Sequence, residues 1–242
     1  MQSKTDIGFG KKIRATWLNS ALELAAAGKT FEQTKELLAK EIAADNPGPE
    51  AIRKIQAAIK RVWFAPPAYC QSLRDDALRL FRQNQSHNSR LLLNWGVAIA
   101  AYPFVGSVAE TLGRLLKLQG EAKRADVDRR VREQQGDRDF VSRIARYNVS
   151  SFLDWGVIAE AEKNGVYVVG RRIRPHNAEQ LAWLTEAVLI SCGKTQLALS
   201  AISHHPILFP FCLDSLNTSG LRSNSRLNIV RQNLHSETVF LT

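Results

Sequence analysis

The stretch DRDFVSRIARYNVSSFLDWGVIAEAEKNGVYVVGRRIR, running from Asp137 to Arg174, decides the fold. Phe140, Val141, Ile144, Ala145, Phe152 and Trp155 recur at the spacings of a 3.6-residue period, which predicts one amphipathic helix over 137–155. Its opposite side carries Ser142, Arg143, Arg146 and Ser150. Asn148 falls near the middle of the apolar side, so either the helix is locally irregular there or Asn148 is buried and hydrogen-bonded. Gly156 stands where a left-handed C-cap residue ends a helix. Val157-Ile158-Ala159 then predicts a short strand, Lys163-Asn164-Gly165 a hairpin turn, and Val166-Tyr167-Val168-Val169 the returning strand. Arg171, Arg172 and Arg174 follow at once.

Working outward, the residues before this stretch give it a context. Ser107 to Leu118 predicts a helix with Val108, Leu112, Leu115 and Leu116 inward and Gly120 at its end. A short charged helix from about Asp126 to Gln134 follows, with Val127 and Val131 as its apolar pair and Gly136 at its end. Helix, short helix, long helix and a two-stranded wing is the order of a winged helix-turn-helix. The predicted fold class is therefore mainly α. A helical N-terminal domain over 1–102 precedes a winged helix-turn-helix over 103–176, and C-terminal helices and a β-hairpin occupy 177–242. The C-terminal part, with Asn177 as a helix cap and a closing hairpin over 227–241, follows a similar order and could form a second, smaller winged unit.

The N-terminal part is helical throughout. Residues 11–27 carry Ile13, Trp17, Leu18, Ala21, Leu22 and Leu24 on one side and end at Gly28. Thr30 and Gln33 form a capping box for the next helix, which runs through Leu37, Leu38 and Ile42 to the Asp45-Asn46-Pro47-Gly48 breaker. Pro49 opens a third helix with Ile52, Ile55, Ile59 and Val62 on one face and Arg53, Lys54, Lys60 and Arg61 on the other. The Asn-Pro-Gly joint fits either a helix-turn-helix or a plain helical hairpin. Leu91–Ala101 is apolar enough to imitate a membrane span, but Pro103 breaks it, so two buried helices meeting at Tyr102-Pro103 are expected instead.

The 242 residues carry a net charge of +10, and the sequence pI is near 9.8. A basic balance of that size favours polyanionic partners, nucleic acid first. The 45% hydrophobic content argues for a folded chain, not a disordered one. Cys70, Cys192 and Cys212 are odd in number and widely spaced, with no Cys-x-x-Cys pair, so reduced thiols in a cytoplasmic protein are expected. Met1 to Lys12 lacks the apolar core of a signal peptide.

Arg138, Ser142, Arg143, Arg146 and Ser150 on the long helix, with Lys163, Asn164, Arg171, Arg172 and Arg174 on and after the wing, are the candidate DNA-binding residues. Arginine forks suit guanine edges and phosphates, and serine hydroxyls donate to phosphate oxygens. Ser191-Cys192-Gly193-Lys194-Thr195 imitates the end of a phosphate-binding loop. Val188 stands where that motif needs its first glycine, so the stretch is not one. His204-His205 has no metal-ligand partner at suitable spacing. Asp75-Asp76, Glu160 and Glu162 show no arrangement that specifies hydrolysis, and no cofactor is expected.

The Ala26-Ala27-Gly28 helix end, the Asp45-Asn46-Pro47-Gly48-Pro49-Glu50-Ala51 turn and the Arg138–Ile158 helix running into a Gly-Val-Ile strand resemble the BrxA-type accessory proteins of bacterial BREX phage-defence systems. The resemblance covers about residues 10 to 190 and contains no catalytic motif. It implies a small helical protein with a wing that binds double-stranded DNA beside larger phage-defence components; the expectation of no membrane partner comes from the Pro103 break alone. A protein-interaction adaptor, or RNA binding through Arg53, Lys54, Lys60 and Arg61, are the alternatives from the residues alone.

Overall fold

The computed structural model describes residues 8–213, 218–233 and 236–242 and is mainly helical, with two small antiparallel sheets. Three helices come first: α1 (Ala15–Ala26), α2 (Phe31–Ala43) and α3 (Pro49–Ile59). The Thr30–Gln33 capping box forms as the sequence predicts, and Pro49 occupies the first turn of α3. The third helix does not continue regularly to Val62. A π-helical turn over Lys60–Phe64 follows α3, closed by the Ala65 amide donating to the Lys60 carbonyl at 2.7 Å. Pro66 and Pro67 lack amide protons to prolong it.

Next come α4 (Gln71–Gln83), α5 (His87–Ala101) and α6 (Pro103–Gln119). Helices α5 and α6 meet at 115°, and no single helix among the described residues is long and apolar enough to cross a membrane. Twelve of the fifteen residues of α5 are buried, which accounts for its span-like composition: it is a core helix packed on several sides.

Strand β1 (Glu121–Lys123) follows α6, then α7 (Arg124–Gln135), α8 (Asp139–Asp154), β2 (Ile158–Glu160) and β3 (Val166–Val169). The three strands form one sheet in the order β1-β3-β2, with Ala122 opposite Tyr167 and Ala159 opposite Val168. Helix α8 ends one residue before Trp155, and Gly156 takes φ +70°. At Gly170 a side chain is excluded by packing, because a Cβ there would lie 2.3 Å from the Gly156 carbonyl oxygen. That close approach lets the chain leaving β3 hydrogen-bond back to the end of α8, through Gly170 N to Val157 O and Arg171 N to Gly156 O.

The chain closes with α9 (Ala178–Ser191), β4 (Gln196–Ala198), α10 (Leu199–Ser203), α11 (Thr218–Leu221), β5 (Leu227–Asn233) and β6 (Ser236–Leu241). Here too the sheet is antiparallel, in the order β4-β6-β5. The Asn177 side chain caps α9 as expected.

One hydrophobic core runs through the segments. Trp95 of α5 lies at its centre, with ring centroids 5.0 Å from Phe152 of α8 and 5.5 Å from Phe209 near the C-terminal part. Helix α5 also packs on α9, where a Cβ at Gly96 would come within 2.4 Å of the Trp183 ring. Among the described residues a buried carboxylate also sits in this frame. Glu186 of α9 is 2% exposed and accepts two hydrogen bonds from Arg226, at 2.7 and 2.9 Å, and one from Asn224 at 2.6 Å. Arg226 also reaches Asp76 of α4 at 2.5 Å, so the charge cluster ties the C-terminal part to the N-terminal helices.

Candidate functional site

Helix α8 is held from behind by the start of the chain. Residues 8–14 run outside any helix across its inner face, which shortens the first predicted helix to begin at Ala15. Ser151 Oγ accepts the Ile13 amide at 2.8 Å, and the indole N–H of Trp155 donates to the Ile13 carbonyl at 2.9 Å. Asn148 is fully buried, one of the two readings its place on the apolar face leaves open. It donates to the Ile144 carbonyl at 2.6 Å and accepts the Phe9 amide at 3.5 Å. At the far end Asp154 accepts the Ala15 amide at 2.9 Å and pairs with Lys12 at 3.0 Å. A carboxylate at a helix C-terminus opposes the macrodipole, and these donors offset it.

The outer face of α8 presents Arg143 and Arg146, with Arg138 exposed at its start and Ser150 half-buried between α8 and the hairpin. Ser142 does not belong to it. The serine is 4% exposed and its hydroxyl has no hydrogen-bond partner among the described residues. The reason is helical geometry: Val149 lies seven residues on, almost two turns, so Ser142 shares the buried edge with it. Phe140 departs the other way. It is 41% exposed, and the Arg143 guanidinium lies over its ring at 5.6 Å from the centroid.

The hairpin tip brings Lys163 and Asn164 to this face. Arg146, Lys163 and Asn164 line one concavity of about 480 Å³, together with Lys123, Arg124 and Asp128. Arg124 anchors the tip: its amide donates to the Gly165 carbonyl at 2.8 Å, and its Nε donates to the Tyr167 hydroxyl at 3.2 Å. That hydrogen bond is the main cause that raises the Arg124 pKa further, so it stays a cation. Lys123 and Arg124 were not among the residues singled out from the sequence. Their signal was present as adjacent basic residues, but the three-residue strand β1 that places them has no alternation to detect.

Arg171, Arg172 and Arg174 lie elsewhere. Strand β3 runs away from the tip, so these arginines follow its far end, beside Gly156. There the buried Ile173 bridges to Phe211, and its amide donates to the Pro210 carbonyl at 2.9 Å. The four residues of β3 span about 13 Å at strand rise, which separates this arginine group from Lys163. The face of α3 named for RNA is also divided among internal partners. Lys54 pairs with Glu50, Lys60 lies over Phe31, and Arg61 donates to the Ala101 carbonyl.

Two further groups carry chemistry. Cys192 Sγ lies 3.5 Å from His205 Nε2, a pair the sequence did not reveal. His205 Nδ1 accepts the Ile207 amide at 3.4 Å, which leaves Nε2 protonated and unable to take a proton from the thiol. Burial pushes the Cys192 thiol up to about 11 and His205 below its usual value, the opposite of an activated thiolate–imidazolium couple. The Ser191–Thr195 stretch forms the end of α9. Gly193 takes φ +60°, and the Lys194 amide donates to the Leu189 carbonyl, as in a Schellman motif. It is a helix C-terminus, opposite in polarity to a phosphate-binding loop. Among the described residues no cluster of His, Cys, Asp or Glu could hold a metal ion.

Comparisons with protein-family models, with curated proteins and with solved structures found no match to this chain.

Proposed function

We propose that residues 103–176 act as a winged helix-turn-helix and that the protein is a non-enzymatic binder of double-stranded DNA. The observation that carries this reading is the cationic concavity in which Arg146 of α8 meets Lys163 and Asn164 of the hairpin tip, with Lys123 and Arg124 beside them. The order α6, β1, α7, α8, β2, β3 and the strand order β1-β3-β2 support it. An α-helix about 10–12 Å across fits a major groove about 12 Å wide. With α8 in that groove, Arg143 and Arg146 face the bases and nearby phosphates, and the hairpin tip reaches the backbone. The C-terminal order α9, β4, α10, α11, β5, β6, with strands ordered β4-β6-β5, supports a second and smaller winged unit. The setting in antiphage defence, beside other proteins, rests on the resemblance to BrxA-type proteins alone.

Fluorescence anisotropy with a labelled duplex of about 20 base pairs, at roughly 50 and 200 mM salt, tests the reading, because phosphate-dominated binding weakens steeply with salt. Saturable binding at low salt is expected. No binding there would end the DNA proposal and favour a protein-docking role for the same face.

A further inference from the structure

The start of α8 carries a side chain that phosphate binding does not account for. Phe140 is 41% exposed, and of the five large hydrophobic side chains exposed among the described residues it is the only one on α8. It is the second residue of the helix, after Asp139. At about 100° per residue it lies about 60° of arc from Arg143 and about 120° from Arg146, so it borders the same outer face. The Arg143 guanidinium lies over its ring, 5.6 Å from the centroid. A phenyl ring accepts no conventional hydrogen bond, so this contact restrains the ring while Arg143 keeps its N–H donors for a ligand. Among the described residues no carboxylate pairs with Arg143. Asp139, one turn before Arg143, is exposed as well. A carboxylate repels phosphate but accepts a hydrogen bond from the cytosine amino group. Asp139 and Phe140 therefore suit base edges better than the sugar–phosphate backbone.

Resting on the reading that places α8 in a major groove, we infer that Phe140 contacts the 5-methyl group of thymine and gives the protein a preference for duplexes that carry it. Residues at the N-terminal end of a recognition helix meet base edges. The thymine methyl is the apolar group that a base pair presents in the major groove, and phenylalanine is among the side chains that meet it. Burying the methyl against an exposed ring removes apolar surface of both partners from water. The contact involves no hydrogen bond, so it separates thymine from uracil by the methyl alone. Phe140 is thus a specificity residue beside cations that bind any sequence. It leaves the phosphate contacts of Arg146 and Lys163 untouched, because those side chains lie toward the hairpin tip.

Anisotropy of the full chain at roughly 50 mM salt tests this with two duplexes of about 20 base pairs. One is an alternating TG/CA repeat, and the other is the same repeat with deoxyuridine in place of every thymidine. The repeat offers the same steps in every register, so no binding site need be known beforehand. The parent chain is expected to bind the thymine duplex about fourfold more tightly than the uracil duplex, the value of one buried methyl. Phe140→Ala is expected to bind the two duplexes equally, and to bind the uracil duplex within about twofold of the parent, which also shows that the variant is folded. The parent comparison needs no variant, so a misfolded Phe140→Ala cannot hide a failure. Equal affinity of the parent for both duplexes overturns the thymine contact and leaves the DNA proposal standing, with the exposed ring assigned to another partner. A thymine preference that persists in Phe140→Ala overturns it too, because another side chain then reads the methyl. No binding to either duplex overturns the DNA proposal and the thymine contact together.

Discussion

The pairing of Arg146 with Lys163 gives the sharpest test of the groove. Both are exposed and line the same concavity, one from α8 and one from the hairpin tip. Six cations are positioned for phosphate contact in the proposed complex: Lys123, Arg124, Arg138, Arg143, Arg146 and Lys163. Each phosphate neutralised contributes about −0.9 to the slope of log affinity against log salt, so the native slope should be about −5.4. Between roughly 50 and 200 mM salt, that slope lowers affinity about 1800-fold. In the double variant Arg146→Gln/Lys163→Gln four contacts remain, the slope falls to about −3.6, and the same change in salt lowers affinity only about 150-fold. Glutamine keeps the helix propensity of α8, and Arg146 forfeits only a long hydrogen bond to the Ser142 carbonyl at 3.4 Å. Thermal stability should therefore stay within about 0.5 kcal/mol of the parent. Anisotropy titrations at four or five salt concentrations measure both slopes. A native slope near zero, or a double variant with the full native slope, would refute the placement of these two side chains on the phosphate backbone.

Three further outcomes follow from the interior. Ser151→Ala removes the acceptor of the buried Ile13 amide and should cost about 1–3 kcal/mol in urea unfolding; a loss below about 0.5 kcal/mol would mean that the start of the chain is not held as described. Arg226→Met leaves the carboxylate of Glu186, 2% exposed, without its cation and should cost about 3–5 kcal/mol. Adding Glu186→Leu to Arg226→Met should recover most of that loss, and a double variant no more stable than the single one would discount the ion pair. His205 is held neutral mainly by burial, helped by Arg114 and opposed by Glu110, so its folded pKa lies below its unfolded value of 6.5. The unfolded chain then takes up the proton first as pH falls. Its contribution is complete above pH 6.5 and is lost progressively below it, down through the lower folded pKa. Melting temperature should drop from pH 7 to pH 5, and His205→Asn, which retains an acceptor for the Ile207 amide, should flatten that drop; an unchanged acid limb would mean His205 is not the group responsible.

Much of the helical frame was legible because its signals are local. The Thr30–Gln33 box, Pro49 and Asn177 start helices, and Gly28, Gly120, Gly136 and Gly156 follow their ends, all within a few residues of the side chains they govern. The turn at Asn164-Gly165 and its returning strand are equally local. What escaped was set by partners far along the chain. Strand β1 exists because Glu121–Lys123 finds an open edge of β3 more than forty residues later, and its own composition is indifferent. Ser142 lies at the border of two arcs on one helix, and its buried place shows only once the packed edge that it shares with Val149 is known. Of the two readings open for Asn148 the structure takes the buried one, and its partner Phe9, 139 residues earlier, leaves no local signal. The arginines after β3 looked like wing residues because sequence proximity to a hairpin does not say which end of it they occupy.

The way α8 is fastened also bears on what its outer face can do. A helix that reads a groove can be positioned by its neighbours in the motif alone. Here its inner face is fixed from two further directions, by residues 8–14 through Asn148, Ser151, Asp154 and Trp155, and by Trp95 against Phe152. Bonds at Asn148, Ser151, Asp154 and Trp155 leave the helix little freedom to roll, so the backbone that carries Arg143 and Arg146 is fixed beside the hairpin tip. Fixed cations lose less entropy on meeting phosphate than mobile ones, which favours affinity, while a helix that cannot adjust is less able to accommodate different base sequences.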